Sequence, residues 1–173
     1  GDLDAELSAF KKEHGVYTFA DIAAFARDLA KEPEIGPGLR AHYRFLMIDE
    51  YQDTSDLQES FISSLADDNL FAVGDIKQSI YRFRNANPDI FAQKLALYGA
   101  EKGGHLISLN TNFRTREEAL SDINLYFKFM MSPSLGGVLY DDSQALAYGN
   151  KAAFVASSSP AFHSETLFYV KDP

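Results

Sequence analysis

Three short apolar runs constrain the fold of this chain most strongly, because each one ends in a cluster of polar residues. The runs occupy residues 43–48, 69–73 and 105–109. They have the length and composition of buried strands in a parallel sheet. The segments between them show helical periodicity, and a strand–helix–strand order predicts a parallel sheet covered by helices, with right-handed crossovers. The sequence therefore predicts an α/β domain.

Helix starts in this chain are marked by N-capping signals. A Ser, Thr or Asn is followed at capping distance by an acidic residue, a Gln or a Pro. Such signals stand at Thr18, Ser55, Asn87 and Thr115. The helix after Thr18 is predicted to span 18–32 and to present Ile22, Phe25, Ala26 and Leu29 on one face. Residues 132–150 are predicted to form a loop, and residues 165–170 a further strand.

Composition excludes several classes of protein. The 173 residues are 46% hydrophobic and carry a net charge of −9, which argues for a globular domain and against a broad basic face for nucleic acid. Cysteine is absent, so disulfides and thiolate metal sites are excluded within these residues. No apolar run is long enough to cross a membrane. We expect no membrane association, and the absence of cysteine is compatible with a cytoplasmic protein.

The first polar cluster begins at Asp49 and Glu50, directly after an apolar run. A carboxylate at the end of a buried strand can hold Mg²⁺, and a second one can orient or deprotonate an attacking water. An acidic pair alone is as often a helix cap or a solvated turn. A rival hypothesis is a hydrolase that uses Asp49, Glu50 and Asp53 as a self-sufficient metal site. The third cluster, residues 109–115, offers Arg114 as an arginine finger, although an Arg at such a place is more often an ordinary surface residue.

The second cluster, residues 73–86, alternates aromatic and cationic side chains within an otherwise acidic chain. Gln78 is a neutral donor and acceptor that can contact a terminal phosphate or its attacking water. Aromatic rings interleaved with cations suit single-stranded nucleic acid, since rings stack on bases and cations meet phosphates. Burial of the aromatic residues in the core is the alternative, but the density of long cations disfavours it. The candidate contacts are Lys77, Tyr81, Arg82, Phe83 and Arg84.

The strings IDEYQDT, QSIYRFR and NFRT resemble motifs II, III and IV of the superfamily 1A helicases, the UvrD/Rep/PcrA group. They occur in this order, with 29 residues from Asp49 to Gln78 and 36 from Gln78 to Arg114. The group more often has Trp at the position of Phe83 and Gly at that of Asn85. The residues of the string QSIYRFR are closer to those of the AddA/RexA helicase–nuclease branch. The resemblance covers roughly residues 16–150.

This resemblance implies a partial RecA-like (P-loop NTPase) motor domain that uses ATP and Mg²⁺. Asp49 would bind the metal, Glu50 would act as the base, and Gln78 would sense the γ-phosphate. Gln52 and Asp53 would couple the nucleotide site to motif III, and Arg114 would be the arginine finger. Tyr81 and Phe83 would stack on DNA bases, with Arg84 beside them. A protein of this kind would translocate 3′ to 5′ on single-stranded DNA, unwind double-stranded DNA, and work with an AddB/RexB-like partner subunit in DNA double-strand-break repair.

The chain departs from that pattern because it lacks the phosphate-binding loop. It contains no G-x-x-x-x-G-K-[ST] string and no Gly-Lys pair. We therefore expect the 173 residues by themselves to neither hydrolyse ATP nor cut DNA. The predicted division is 1–131 for the second half of the first motor domain and 132–173 for a connector and the first strand of the next. Two further hypotheses remain open: a UvrD/PcrA-type helicase without a nuclease, and a non-catalytic DNA-binding relic.

Overall fold

A computed structural model describes residues 2–135 and 137–165. The chain forms two compact units, Gly1–Gly104 and His105–Pro173. The predicted boundary at residue 131 concerns the motor domains of a longer protein and stays a prediction.

The first unit is a mixture of helices and two strands. Its helices are α1 (Asp2–His14), α2 (Phe19–Lys31), α3 (Gly36–His42), α4 (Asp56–Leu65) and α5 (Pro88–Gly99). Its strands are β1 (Leu46–Ile48) and β2 (Leu70–Ala72). Three single-turn 3-10 helices follow the strands, at Tyr51–Asp53, Ile76–Gln78 and Arg82–Arg84. The second unit contains β3 (Thr111–Asn112), α6 (Glu117–Met130), β4 (Ala147–Tyr148) and a 3-10 turn at Pro160–Phe162.

The first two predicted strands are confirmed and pair in parallel. Leu46 lies opposite Leu70, and Ile48 lies opposite Ala72. Backbone bonds extend the pairing beyond the strands: Val73 N donates to Ile48 O at 2.8 Å, and Tyr51 N donates to Val73 O at 2.8 Å. This extension matters because it brings the turns that follow β1 and β2 to the same edge of the sheet.

The predicted third strand is wrong. Residues 105–109 form no strand, and β3 instead begins at Thr111 and pairs in parallel with β4 in a second, separate sheet. Ile107 is 72% exposed and Leu109 is 85% exposed, so the apolar run finds no partner among the described residues. The predicted strand at 165–170 lies, apart from residue 165, outside the described residues.

Three of the four predicted helix starts are confirmed. Thr18 and Ser55 each form a complete capping box, and the Asn87 side chain accepts from Asp89 N at the start of α5. The N-cap predicted at Thr115 is wrong, because the Thr115 N–H donates to Asn112 Oδ1 and α6 begins two residues later. The predicted loop at 132–150 is interrupted by β4.

The buried apolar residues that the structure describes are few. They are Ala30, Tyr51, Leu65, Ala86 and Phe91 in the first unit, and Leu120 and Tyr140 in the second. In the first unit α2 packs against α4 and α3, and α5 packs against the turn at Tyr51–Asp53. Within the described ranges, no helix is long and apolar enough to cross a membrane.

Candidate functional site

Two exposed carboxylates occupy the turn that follows β1. Asp49 Oδ1 accepts a hydrogen bond from Glu50 N at 2.9 Å. Glu50 adopts a left-handed backbone conformation, with φ 51° and ψ 44°. A non-glycine residue pays a steric cost in that region, and such residues concentrate at functional sites. The conformation places both carboxylates at the carboxyl end of β1, where parallel sheets bind ligands.

Gln52 connects the turn after β1 to the turn after β2. Its side chain is buried, with 1% of the residue exposed. The Gln52 amide donates to Glu50 Oε2 at 2.7 Å, and its carbonyl oxygen accepts from Asp75 N at 2.9 Å. Because the oxygen is committed to Asp75, the NH₂ group must face Glu50. Gln52 thereby joins the first and second polar clusters by direct contact.

Asp75 organises the start of the second cluster. Its carboxylate forms an ion pair with Lys77 Nζ at 2.8 Å and accepts from Gln78 Nε2 at 3.1 Å. Burial raises the pKa of the Asp75 carboxyl, but the hydrogen bonds from Lys77 and Gln78 outweigh burial and leave that pKa below its ordinary value. The Gln78 side chain is exposed to solvent, whereas Lys77 is half-buried and engaged with Asp75.

Asp53 carries a buried carboxylate oxygen without a partner. Its Oδ1 has no hydrogen bond, and burial together with the negative charge of Glu50 raises the pKa of the Asp53 carboxyl. Among the described residues, no three His, Asp or Glu side chains converge as a metal-binding group. Mg²⁺ commonly needs only one or two carboxylates, with water and substrate phosphates completing its octahedron. Asp49, whose side chain is exposed, is free to contribute to such a partial, ligand-completed site.

The aromatic–cation segment, residues 81–84, forms a compact exposed cluster. The Tyr81 and Phe83 rings lie 5.8 Å apart, and the Arg84 guanidinium lies 5.2 Å from the Tyr81 ring and 5.5 Å from the Phe83 ring. Phe83 is 76% exposed, so the prediction that these rings are not core residues is confirmed. Arg82 lies 4.0 Å from Asp89 and is itself largely exposed. Rings held open to solvent beside a guanidinium can accept stacked bases.

The sequence predicted no role for a buried polar group that lies beneath the turn after β1. Tyr51 is fully buried; its hydroxyl donates to Glu59 Oε2, and Lys94 Nζ lies 3.1 Å from Glu59 Oε1. Burial and the Glu59 carboxylate raise the pKa of the Tyr51 phenol. Phe91 packs edge-on against the Tyr51 ring at 5.8 Å. Only the position of Tyr51 inside the polar string DEYQDT hinted at this arrangement.

Arg114 belongs to the second compact unit, whereas the other candidate residues belong to the first. It follows β3, its side chain is exposed, and its N–H donates to Asn112 Oδ1 at 2.9 Å. The same oxygen accepts from Thr115 N at 2.8 Å. Asn112 thus shapes the turn that presents Arg114.

The class of protein follows from comparison with known families. Residues 2–98 match the UvrD/REP helicase N-terminal domain. The chain belongs to that family. The matched range contains the turns after β1 and β2, the aromatic–cation segment and nearly all of α5.

Individual relatives narrow the class further. The chain is 44% identical over 162 residues to the exonuclease/helicase subunit RexA of Lactococcus lactis subsp. cremoris (strain MG1363), a match that covers 92% of this chain and 14% of that protein. It is 43% identical over 172 residues to an ATP-dependent helicase/nuclease subunit of Streptococcus equi subsp. zooepidemicus (strain MGCS10565), and this match covers 98% of the chain and 14% of that protein. The chain spans about a seventh of the length of these relatives.

Proposed function

We propose that this chain is part of the ATP-driven motor of an AddA/RexA-like helicase–nuclease subunit and carries residues that act on ATP and residues that contact DNA. The observation that carries the proposal is the Gln52 bridge. It joins Glu50, at the end of β1, to Asp75, at the start of the segment that carries Gln78 and the aromatic–cation cluster. A motor must link the group that hydrolyses ATP to the group that touches DNA. Here one buried amide links Glu50 to Asp75, which precedes the aromatic–cation segment by six residues.

The nucleotide side of the proposal rests on the exposed carboxylates after β1. Mg²⁺, when bound, neutralises charge on the phosphates of ATP. Asp49 would hold the metal, directly or through water, while Glu50 would accept the proton of the attacking water. The hydrogen bond from Gln52 keeps the Glu50 carboxylate in one orientation. Gln78 would contact the terminal phosphate, and Arg114 would stabilise charge in the transition state.

The DNA side rests on the aromatic–cation segment. Tyr81 and Phe83 would stack on successive bases, and Arg82 and Arg84 would meet the phosphate backbone. Lys77 is held by Asp75, so it would contribute to the local positive field and not as a free contact. The net charge of −9 is compatible with this because the cations are concentrated in one short segment.

The remaining parts of the proposal concern the intact protein. It would use ATP and Mg²⁺, translocate 3′ to 5′ on single-stranded DNA, and act with an AddB/RexB-like partner subunit in the cytoplasm. The names of the relatives, which describe ATP-dependent helicase/nuclease subunits, support the use of ATP and the presence of a partner subunit. The phosphate-binding loop and the nuclease would come from residues outside this chain.

The metal-dependent hydrolase is the less favoured hypothesis. It requires Asp49, Glu50 and Asp53 to converge on one ion, and the described residues contain no such group. It also leaves the exposed aromatic–cation segment without a role.

Substitution Glu50→Gln in the intact protein tests the proposal. Loss of the base should lower the kcat of DNA-stimulated ATP hydrolysis by at least about 100-fold, since general bases contribute about 10²–10⁴-fold. Binding of a non-hydrolysable ATP analogue should be retained, because the substitution removes a charge and keeps the shape. Glu34→Gln, which neutralises an exposed carboxylate between α2 and α3, controls for the loss of one negative charge. A Glu50→Gln protein that hydrolyses ATP at the unsubstituted rate overturns the proposal.

A further inference from the structure

A second connection joins the DNA side of the site to the nucleotide side, and it does not pass through Gln52 or Gln78. It starts three residues after the aromatic–cation segment, at Asn87. The Asn87 N–H donates to Thr54 O at 2.9 Å, and the Asn87 side-chain NH₂ donates to Asp56 Oδ1 at 2.8 Å. Thr54 is buried, with 6% exposed. Both acceptors belong to the segment that leads from Glu50 into α4.

Short backbone bonds carry this contact to the carboxylates. Thr54 N donates to Tyr51 O at 3.2 Å, and Asp53 N donates to Glu50 O at 2.9 Å. The residues from Glu50 to Thr54 therefore form one hydrogen-bonded turn. On the other side, Ala86 N donates to Tyr81 O at 3.3 Å and ties Asn87 to the aromatic–cation segment.

Helix α5 holds the same turn at two further points. Phe91 packs on the Tyr51 ring, and Lys94 pairs with the Glu59 carboxylate that accepts from the Tyr51 hydroxyl. Asn87 caps α5, so residues 81–86 lead directly into the start of this helix. Phe91 and Lys94, in the middle of α5, thus contact Tyr51 and its hydrogen-bond partner Glu59. Tyr51 directly follows Glu50 in the chain.

We propose that Asn87 is a positioning residue that couples DNA binding at residues 81–84 to the orientation of the Glu50 turn. This inference rests on the proposed function, because it needs ATP at Glu50 and DNA at the aromatic–cation segment. Asn87 touches neither ligand. Its two hydrogen bonds make the position of the Thr54–Asp56 segment depend on the position of the aromatic–cation segment. Coupling of this kind is a free energy shared by two sites and is typically worth about 5- to 150-fold.

Substitution Asn87→Asp in the intact protein tests the coupling. An Asp keeps the α5 cap, because its carboxylate still accepts from Asp89 N. It removes the NH₂ donor and sets a second carboxylate against Asp56. We expect the stimulation of ATP hydrolysis by single-stranded DNA to fall by about 5-fold or more, within the range of known couplings. The rate without DNA and the affinity for DNA without nucleotide should change by less than about 2-fold.

The double substitution Asn87→Asp with Asp56→Asn provides the rescue. It restores an amide–carboxylate hydrogen bond with donor and acceptor exchanged, so stimulation should return to within about 2-fold of the unsubstituted protein. Asn69→Asp is the matched control: it removes another Asn donor, the one that bonds Tyr43 O at 2.8 Å, at the amino end of β2. That control should leave the stimulation ratio unchanged.

The outcomes separate the two proposals. Full stimulation in Asn87→Asp, or failure of the double substitution to restore it, overturns the coupling and leaves the proposed function intact. A parallel loss of basal and stimulated rates overturns it as well, since that pattern reports general damage. Absence of DNA-stimulated hydrolysis in the unsubstituted intact protein overturns the proposed function itself.

Discussion

The approach of Gly74 to the Gln52 side chain shows how single residues hold the two turns of the site together. A Cβ atom at position 74 would lie 2.6 Å from Gln52 Oε1 and 3.1 Å from Tyr51 N. Both distances are shorter than van der Waals contact, and one neighbour is backbone that cannot easily move. Gly74 is therefore required by space, and its substitution should disturb the bridge between Glu50 and Asp75.

The substitution Gly74→Ala is expected to lower the free energy of unfolding by about 1–3 kcal/mol, the usual cost of overpacking. Urea denaturation followed by circular dichroism measures this directly. Gly38→Ala is the control, because a Cβ at position 38 of α3 meets nothing within 4 Å. A helical Gly→Ala change in open space is neutral or stabilising by up to about 1 kcal/mol. Equal stability of the two variants would mean that the Gln52 side chain simply moves aside.

Helices of the first unit depend on local signals that the sequence displays. Thr18 and Ser55 cap α2 and α4 through contacts that reach only three residues ahead, so their sequence spacing suffices to predict them. The burial of α2 was less predictable. Its larger apolar side chains, Ile22, Phe25 and Leu29, stay about half exposed, while Ala30 is fully buried. Which face of a helix is covered depends on its neighbours, and periodicity alone does not identify them.

The strand at 105–109 failed as a prediction for a related reason. An apolar run predicts a strand only if another strand lies beside it, and strand pairing is a non-local property. In the site, the polar clusters after β1 and β2 were predictable because carboxyl ends of parallel strands share one edge. The Tyr51–Glu59–Lys94 contacts and the Asn87–Asp56 bond were not, since they join residues on different helices that no spacing rule connects.

The ion pair between α1 and α2 should make the stability of the protein depend on pH. Lys11 Nζ lies 2.7 Å from Asp21 Oδ2, and Asp21 also closes the capping box of α2. The hydrogen bonds from Lys11 and Thr18 lower the pKa of the Asp21 carboxyl to about 2. A depressed pKa means that the stabilisation is complete above the unfolded value of about 4 and is lost as the pH falls toward 2.

The substitution Asp21→Asn is therefore expected to destabilise the protein at about pH 6 and to cost progressively less between about pH 4 and about pH 2. Unfolding in urea at a series of pH values measures the difference from the unsubstituted protein. Asp28→Asn, which alters an exposed carboxylate on the same helix, controls for the loss of one negative charge. A destabilisation by Asp21→Asn that stays constant across this whole range of pH would contradict the role of the ionised carboxylate.

At the scale of the molecule, the first compact unit carries both the proposed nucleotide residues and the proposed DNA residues, while Arg114 belongs to the second. The sequence proposes Asp49, Glu50, Gln78 and the aromatic–cation segment as site residues, from their places after apolar runs and from the resemblance to a helicase family. The structure brings the turns after β1 and β2 to one edge. The contacts that join these two turns cannot be predicted from the sequence. They exist only in the folded unit, and they form two separate connections, one through Gln52 and one through Asn87.

In the proposed motor, separate residues hydrolyse ATP and hold DNA. The dependence of the ATPase rate on the concentration of single-stranded DNA tests this most directly. The intact protein should be compared with Phe83→Ala and Glu50→Gln, and with Phe19→Ala as a control for an exposed phenylalanine of the same unit. Phe83→Ala should raise the DNA concentration for half-maximal rate by about 5- to 150-fold, the worth of one stacked base, with a kcat near that of the unsubstituted protein. Glu50→Gln should lower the rate by at least about 100-fold at every DNA concentration. A Phe83→Ala protein with unchanged DNA dependence, or a Glu50→Gln protein with an unchanged rate, would contradict the account.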